Sequence, residues 1–285
     1  MTLKLTAICF IALSIGILLS DLRVTAQVLN DPSSFKKYSY MAVLVSSQHP
    51  NAGKVATCFF VNDKSQMYLV AASHLFNCLD VFKGTHIPVV DQWDSVFITY
   101  YNDSLKKDDF FRISITEFKN SADPFFWYNK PDLICIKLPH IPHFKVNSIE
   151  KWLYAFDQKN GTPDKVFFWG YPADISQIKN RVYNSGEFKS SLYEGTFRGK
   201  IYQKIYIEDI KTYDTLNYLT TPNSDFGYSG SPVFFNFNDS KITTFGGIAF
   251  GSDSEKKMAW IVKPQLVIKA IETLKADAKA MYFIP

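Results

Sequence analysis

"DFGYSGSPVFF", Asp225 to Phe235, sets two glycines, two serines and a proline directly in front of an apolar run. The run Val233-Phe234-Phe235 reads as a strand, because aromatic and β-branched side chains pack well on a pleated surface. Gly230 and Pro232 turn the chain just before it. Two readings fit that turn. One is a plain glycine-serine hairpin; the other is a loop that offers the Ser229 hydroxyl to an electron-poor carbon.

The same alternation of turn and apolar run extends outward in both directions. "YMAVLVS", "KVATCFFVN", "MYLVAASHLF", "SVFITYYN", "FFRISITEF" and "DLICIKLP" occupy the first half. "KVFFWGYP", "TLNYLTT", "SPVFFNF", "KITTFGGIAFG" and "KMAWIVK" occupy the second, after a connector "PHIPHFKVNSIEKW". Short runs at this spacing predict an all-β protein of about a dozen strands. The tail differs: Leu266, Ile268, Ile271 and Leu274 recur at helical spacing, and Pro264 suits a first turn, which predicts a helix over about 264–280.

Composition agrees with a folded globular chain: of 285 residues 47% are apolar and 20% charged. The 25 Phe and 16 Tyr favour strands. A net charge of +4, with both signs mixed along the chain, gives nucleic-acid binding no support. Residues 1–26 carry Lys4, an apolar stretch from Leu5 to Leu19, and Val24-Thr25-Ala26. We read them as a cleavable signal peptide, too short for a stable membrane anchor, and so expect a secreted or periplasmic protein. Asn102, Asn160 and Asn238 lie in glycosylation sequons, which matter only in a eukaryotic host. Cys9 leaves with the leader, and Cys58, Cys78 and Cys135 remain. Export permits disulfides; Cys58 and Cys78 are the better pair and Cys135 a buried thiol, with three reduced thiols as the alternative.

A serine hydroxyl needs an adjacent base, and that base needs a third group to orient it. Of five histidines, His49, His86, His140 and His143 sit in turn-like contexts. His74 ends the buried-strand pattern "MYLVAASHLF", where a core or surface histidine is an equal reading. Asp132 opens the apolar strand "DLICIKL", where an edge or turn role competes with a buried carboxylate that needs a partner. Gly227 can adopt backbone angles that let the N–H groups of Gly227 and Ser229 converge, as a developing oxyanion requires.

Together, "LVAASHLF", "DLICIKL" and "GYSGSPVF", in that order, resemble the chymotrypsin-like serine endopeptidases, and the serine segment is most similar to the bacterial glutamyl-endopeptidase branch. The resemblance implies two six-stranded antiparallel β-barrels followed by a C-terminal helix. The first, 27–145, would carry His74 and Asp132; the second, 146–285, Ser229. It implies His74 as general base, Asp132 as its orienter and Ser229 as nucleophile, with a polypeptide substrate, no cofactor, no metal and a monomeric state. A Cys58–Cys78 bridge would then close a roughly 20-residue loop around the base, worth about 3 kcal/mol. A substrate pocket would be formed by Asn223, Ala249, Phe250 and Gly251. Tyr228 departs from relatives that carry an aspartate before the serine, so activation through a freed amine is not expected. Ala249 stands where glutamate-cleaving relatives have a histidine, which leaves a neutral or apolar preference.

Two other chemistries are excluded. An α/β-hydrolase elbow needs glycine where Ser231 stands, and no pair of histidines has metal-ligand spacing on a helix. The remaining alternative is a secreted binding protein on the same fold without catalysis.

Overall fold

The computed structural model describes residues 31–47, 53–63, 66–75, 79–80, 85–86, 94–102, 105–115, 125–128, 132–138, 145–153, 163–171, 190–202, 215–220, 228–237, 242–253, 258–276 and 282–284. A 3-10 turn, Pro32–Tyr38, opens the described chain. The first half then supplies β1 (Tyr40–Val45), β2 (Gly53–Asp63), β3 (Gln66–Ala71), β4 (Leu79–Asp80), β5 (Thr85–His86), β6 (Ser95–Asn102), β7 (Lys107–Ser114), β8 (Phe125–Tyr128) and β9 (Leu133–Lys137). A single helical turn, α1 (Glu150–Leu153), lies in the connector. The second half has β10 (Lys165–Gly170), β11 (Ser191–Tyr202), β12 (Thr215–Thr220), β13 (Pro232–Phe237), β14 (Ile242–Asp253) and β15 (Met258–Val262). Helix α2 (Pro264–Ala276) and a last strand, β16 (Tyr282–Ile284), follow.

The second half closes as expected, an antiparallel six-stranded barrel in the order β10-β11-β12-β15-β14-β13. The first half departs from the expected closed six-stranded barrel: among the described residues it is a half-barrel, an open eight-stranded sheet in the order β16-β8-β9-β3-β2-β1-β6-β7. β16 joins it in parallel, through Phe283 opposite Trp127. The helix is described over Pro264–Ala276, and the expected continuation to 280 lies outside the described residues. Its buried stripe is Val267, Ala270, Ile271 and Leu274, with Leu266 and Ile268 only flanking it. This i, i+3, i+4, i+7 face packs on β14, β8 and β9. The ion pair between Lys275 and Asp63 ties the helix end to the end of β2.

Several strands are apolar on both faces because each faces two cores. Along β2, Cys58 and Phe60 enter the core of the first barrel while Phe59 and Val61 face the other way. β3 and β9 divide in the same manner, with Leu69 and Ile134 inward and Val70 and Leu133 outward. The outward set meets Phe167, Phe234, Phe245, Ile248 and Phe250 from the second barrel. That shared seam explains continuous runs such as Cys58–Val61, where one solvated face would have required alternation.

The first and last described elements each pack on the half of the fold remote from them in sequence. The Asp31 carboxylate accepts from Ser33 N at 2.9 Å and caps the 3-10 turn. The turn drives Phe35 into the aromatic group of the seam, 4.4 Å from Phe234 and 5.2 Å from both Phe167 and Trp152, centroid to centroid. The indole N–H of Trp169 donates to Pro32 O at 2.7 Å and holds the entry. Phe35 is fully buried. Truncation to Ala should therefore cost about 3–5 kcal/mol, the usual range for a core Phe. Urea unfolding of the chain from Gln27 onward checks this; a loss under about 1 kcal/mol would contradict the packing.

Candidate functional site

The serine segment folds as a tight turn, Tyr228–Ser231, that leads into β13. Ser231 N donates to Tyr228 O at 3.0 Å, and the Ser231 hydroxyl donates to the same oxygen at 2.5 Å. Gly230 sits at φ +93, a left-handed value that favours glycine. A Cβ there would lie 1.8 Å from Thr57 O and 3.3 Å from Ala72 N. Space decides the position as firmly as conformation does. Gly170 leaves a second such gap, since its Cβ would stand 2.6 Å from Tyr228 Cβ and 2.8 Å from Ser231 Oγ.

The turn is bonded to both barrels. Thr57 N donates to Ser229 O at 3.0 Å from β2, and Tyr171 N donates to Thr57 Oγ1 at 3.1 Å. From β14, Ala249 O accepts Gly230 N at 2.6 Å and Ala249 N donates to Ser231 O at 3.0 Å. The half-buried Ser229 hydroxyl donates to Phe250 O at 3.2 Å. Tyr228 is buried, its ring 5.4 Å from Phe168 and 5.3 Å from Tyr193, and those two stack at 5.0 Å.

The histidine and aspartate segments meet beside this turn. β3 ends at Ala71, and Ser73–Leu75 forms a 3-10 turn that carries the His74 backbone; the His74 side chain lies outside the described part. Asp132 is fully buried at the start of β9, with φ +70. The Ser73 hydroxyl donates to Asp132 Oδ1 at 2.7 Å, and Ser73 N donates to Asp132 O at 3.3 Å. His74 thus follows a residue bonded to Asp132, and Ala72 abuts Gly230. The three segments singled out in the sequence adjoin one another, although the turns belong to different halves.

Other sequence-predicted positions fare differently. Asn223, Gly227 and Cys78 lie outside the described residues. Gly251 continues β14. Ala249 and Phe250, expected to line a pocket, put their side chains into the cores, Phe250 at 6.3 Å from Trp260. What this strand presents to the serine turn is backbone. The Cys58–Cys78 bridge is corrected: Cys58 is a free thiol. It points from the middle of β2 into the core of the first barrel, where β1 and β3 flank it through Tyr40 and Ala71. Cys135 is a buried free thiol, as expected. Burial pushes both thiols well up, away from the reactive range.

Sequence reasoning missed Thr57, Ser73, Gly170 and the hydroxyl of Ser231. Ser73 had a local signal, since it precedes His74; the others depend on contacts that no linear pattern carries. Two depressions also run along β1, with volumes of about 640 and 430 Å³, sharing Met41, Thr99 and Asp108. The larger reaches Tyr40 and Tyr171. Burial pushes both phenols up to about 12, so each stays neutral at physiological pH. Tyr40 accepts from Asn147 N at 2.6 Å, and Tyr171 donates to Ser39 O at 3.4 Å. Among the described residues no group of three His, Cys, Asp or Glu could hold a metal ion.

No family model and no curated protein matches this chain. Among solved structures, it is similar to the active form of the Rv3671c protease from M. tuberculosis. The identity is 14%, the coverage 90% of this chain and 88% of that one, and the TM-score 0.54. The fold is the chymotrypsin-like double barrel. A human pathogenic astrovirus serine protease also matches, with 12% identity over 79% of this chain and 90% of that one, at a TM-score of 0.40. The chymotrypsin-like arrangement here has each barrel contribute one wall of the contact around Ser229. Its thiols give a direct check. In native protein Cys58 should resist a thiol reagent, and in denaturant it should react fully without prior reduction; reaction only after reduction would restore the disulfide.

Proposed function

We propose that this chain is a secreted serine endopeptidase working through Ser229, His74 and Asp132. One observation carries the reading: the Ala72–Ser73 segment before His74 is held by Asp132 on one side and abuts the Ser229–Gly230 turn on the other. The likeness in fold to a protease, over 90% of the chain, supports the same chemistry.

The reaction follows from general chemistry. The Ser229 oxygen attacks the carbonyl carbon of a peptide bond while His74 takes the hydroxyl proton. The electron pair displaced from the carbonyl becomes an oxyanion, stabilised by the backbone N–H groups of Ser229 and Gly227. When the C–N bond breaks, the amine departs with the proton from His74 and leaves an ester on Ser229. Water, deprotonated by the same imidazole, then releases the acid and restores the hydroxyl. The bond from Ser229 to Phe250 O is long and half exposed, so rotating the hydroxyl toward an imidazole forfeits about 1 kcal/mol at most. Asp132 orients the imidazole and stabilises its cation, and the Ser73 hydroxyl holds the carboxylate through Oδ1. The depressions along β1 suit an extended polypeptide. Tyr228 lies within an aromatic cluster, which supports activity without a new amino terminus.

A fluorophosphonate probe tests this on the chain from Gln27 onward. The label should map to Ser229 by mass spectrometry, and Ser229→Ala should abolish it and lower peptide hydrolysis by about a million-fold. A folded, unlabelled wild-type chain would instead favour a binding protein on this fold. With His74 as base, kcat/KM on a peptide substrate should rise as the imidazole loses its proton across the neutral range. A flat profile between about pH 5 and 8 removes His74 from that role.

A further inference from the structure

We propose that the buried hydroxyl of Ser231 is a positioning residue for the reaction: it holds the Tyr228 carbonyl inward and so aims the Ser229 N–H into the cleft. This rests on Ser229 being the nucleophile.

The argument concerns one peptide plane. The Tyr228–Ser229 bond is trans, as are all those described. In a planar trans amide the C=O and the N–H project from opposite edges. The Tyr228 carbonyl faces Ser231, which is fully buried, and takes two donors from it, the N–H at 3.0 Å and the hydroxyl at 2.5 Å. The Ser229 N–H must therefore leave from the opposite edge, away from the buried side. Its own residue carries the reactive hydroxyl. A donor fixed on that edge lies where charge would appear on a carbonyl oxygen under attack.

The hydroxyl is surplus to the turn itself. A turn of this kind closes with one backbone bond, from Ser231 N to Tyr228 O. The second donor makes the opposite orientation of the plane expensive. A flipped plane would turn the Ser229 N–H toward the apolar cluster of Phe168, Val233 and Ala249 and strip a buried hydroxyl of its acceptor. The surroundings reserve room for this hydroxyl. Gly170 is the residue facing it, and any Cβ there would come within 2.8 Å of Ser231 Oγ. The anchors on either side hold the ends of the plane. The Tyr228 ring is packed between Phe168 and Tyr193, and Gly230 N is bonded to Ala249 O.

The test compares Ser231→Ala and Ser231→Gly with the wild-type chain from Gln27 onward. The second-order inactivation rate by a fluorophosphonate is measured beside kcat and KM on a peptide selected from a random library, and the thermal midpoint of each protein is recorded. Both variants should lose about 10- to 100-fold in kcat and in inactivation rate together, with KM within about two-fold, because the misaimed donor matters only once the oxyanion forms. Alanine removes only the oxygen, while glycine removes the hydroxyl together with its Cβ; the second variant keeps the test usable if the alanine protein does not fold. A folded variant that inactivates at the wild-type rate overturns the proposal. So does a rise in KM at unchanged kcat, or a loss of label that merely tracks loss of folded protein. A wild-type chain that takes no label removes the nucleophile itself and this inference with it. A labelled wild type with equal variants removes this inference alone.

Discussion

The structure depends on strands that are apolar on both faces. β2, β3 and β9 each send alternate side chains into the first barrel and the rest into a seam shared with β10, β13, β14 and α2. Burying one large apolar side chain is worth about 1.5–3 kcal/mol, and Phe59, Val61, Tyr68 and Val70 all enter the seam. The rings of Phe59 and Phe245 meet there edge to face at 5.7 Å. Two barrels joined only by a surface contact would be free to shift by an ångström or more. Two barrels sharing a core are not, because close-packed interiors resist such sliding. That rigidity lets Thr57, on one barrel, bond the carbonyl of Ser229, on the other, at a defined distance.

The serine turn carries this rigidity to the Ser229 hydroxyl. Gly230 and Gly170 have no side chain because other atoms already occupy that space: the Thr57 carbonyl in one case, Tyr228 and Ser231 in the other. Tyr228 gives the turn an aromatic anchor, its ring against Phe168 and Tyr193. An ion pair at that position would require desolvation of two charges, whereas rings at about 5 Å hold the turn by area and edge contacts at no such penalty.

The all-β class, the closed second barrel and the three segments that adjoin one another around Ser229 were legible because each is written locally, in short apolar runs punctuated by turn residues. The helix was legible in kind but not in register. Leu266 and Ile268 carry the stronger hydrophobic signal, yet Val267 and Ala270 face the seam, since the surface of β14 and β9 decides which stripe is buried. β16 and the burial of Phe35 were not legible. Each is a few residues long and owes its position to partners more than a hundred residues away, Trp127 in one case and Phe234 in the other. The expected Cys58–Cys78 bridge failed for a similar reason. Sequence proximity around His74 suggested a loop closure, while the strand period turns Cys58 into the core.

Asp132 shows how local strain and long-range packing meet at the site. An aspartate at φ +70 is tolerated better than most residues but still costs about 1 kcal/mol, and its burial removes the water a carboxylate would prefer. Neither cost would persist unless the surroundings imposed it. Leu133 and Ile134, the next two residues, are committed to opposite faces of β9, one to the seam and one to the first core. The backbone reaches that strand only by turning sharply at 132. The turn brings the Asp132 carbonyl within reach of Ser73 N and the carboxylate within reach of the Ser73 hydroxyl. The packing of β9 thus fixes the backbone angle at its first residue, and that angle sets the carboxylate against the segment carrying His74. Relaxing the angle would release the strain only by pulling Leu133 or Ile134 out of its core, which costs more than the strain itself.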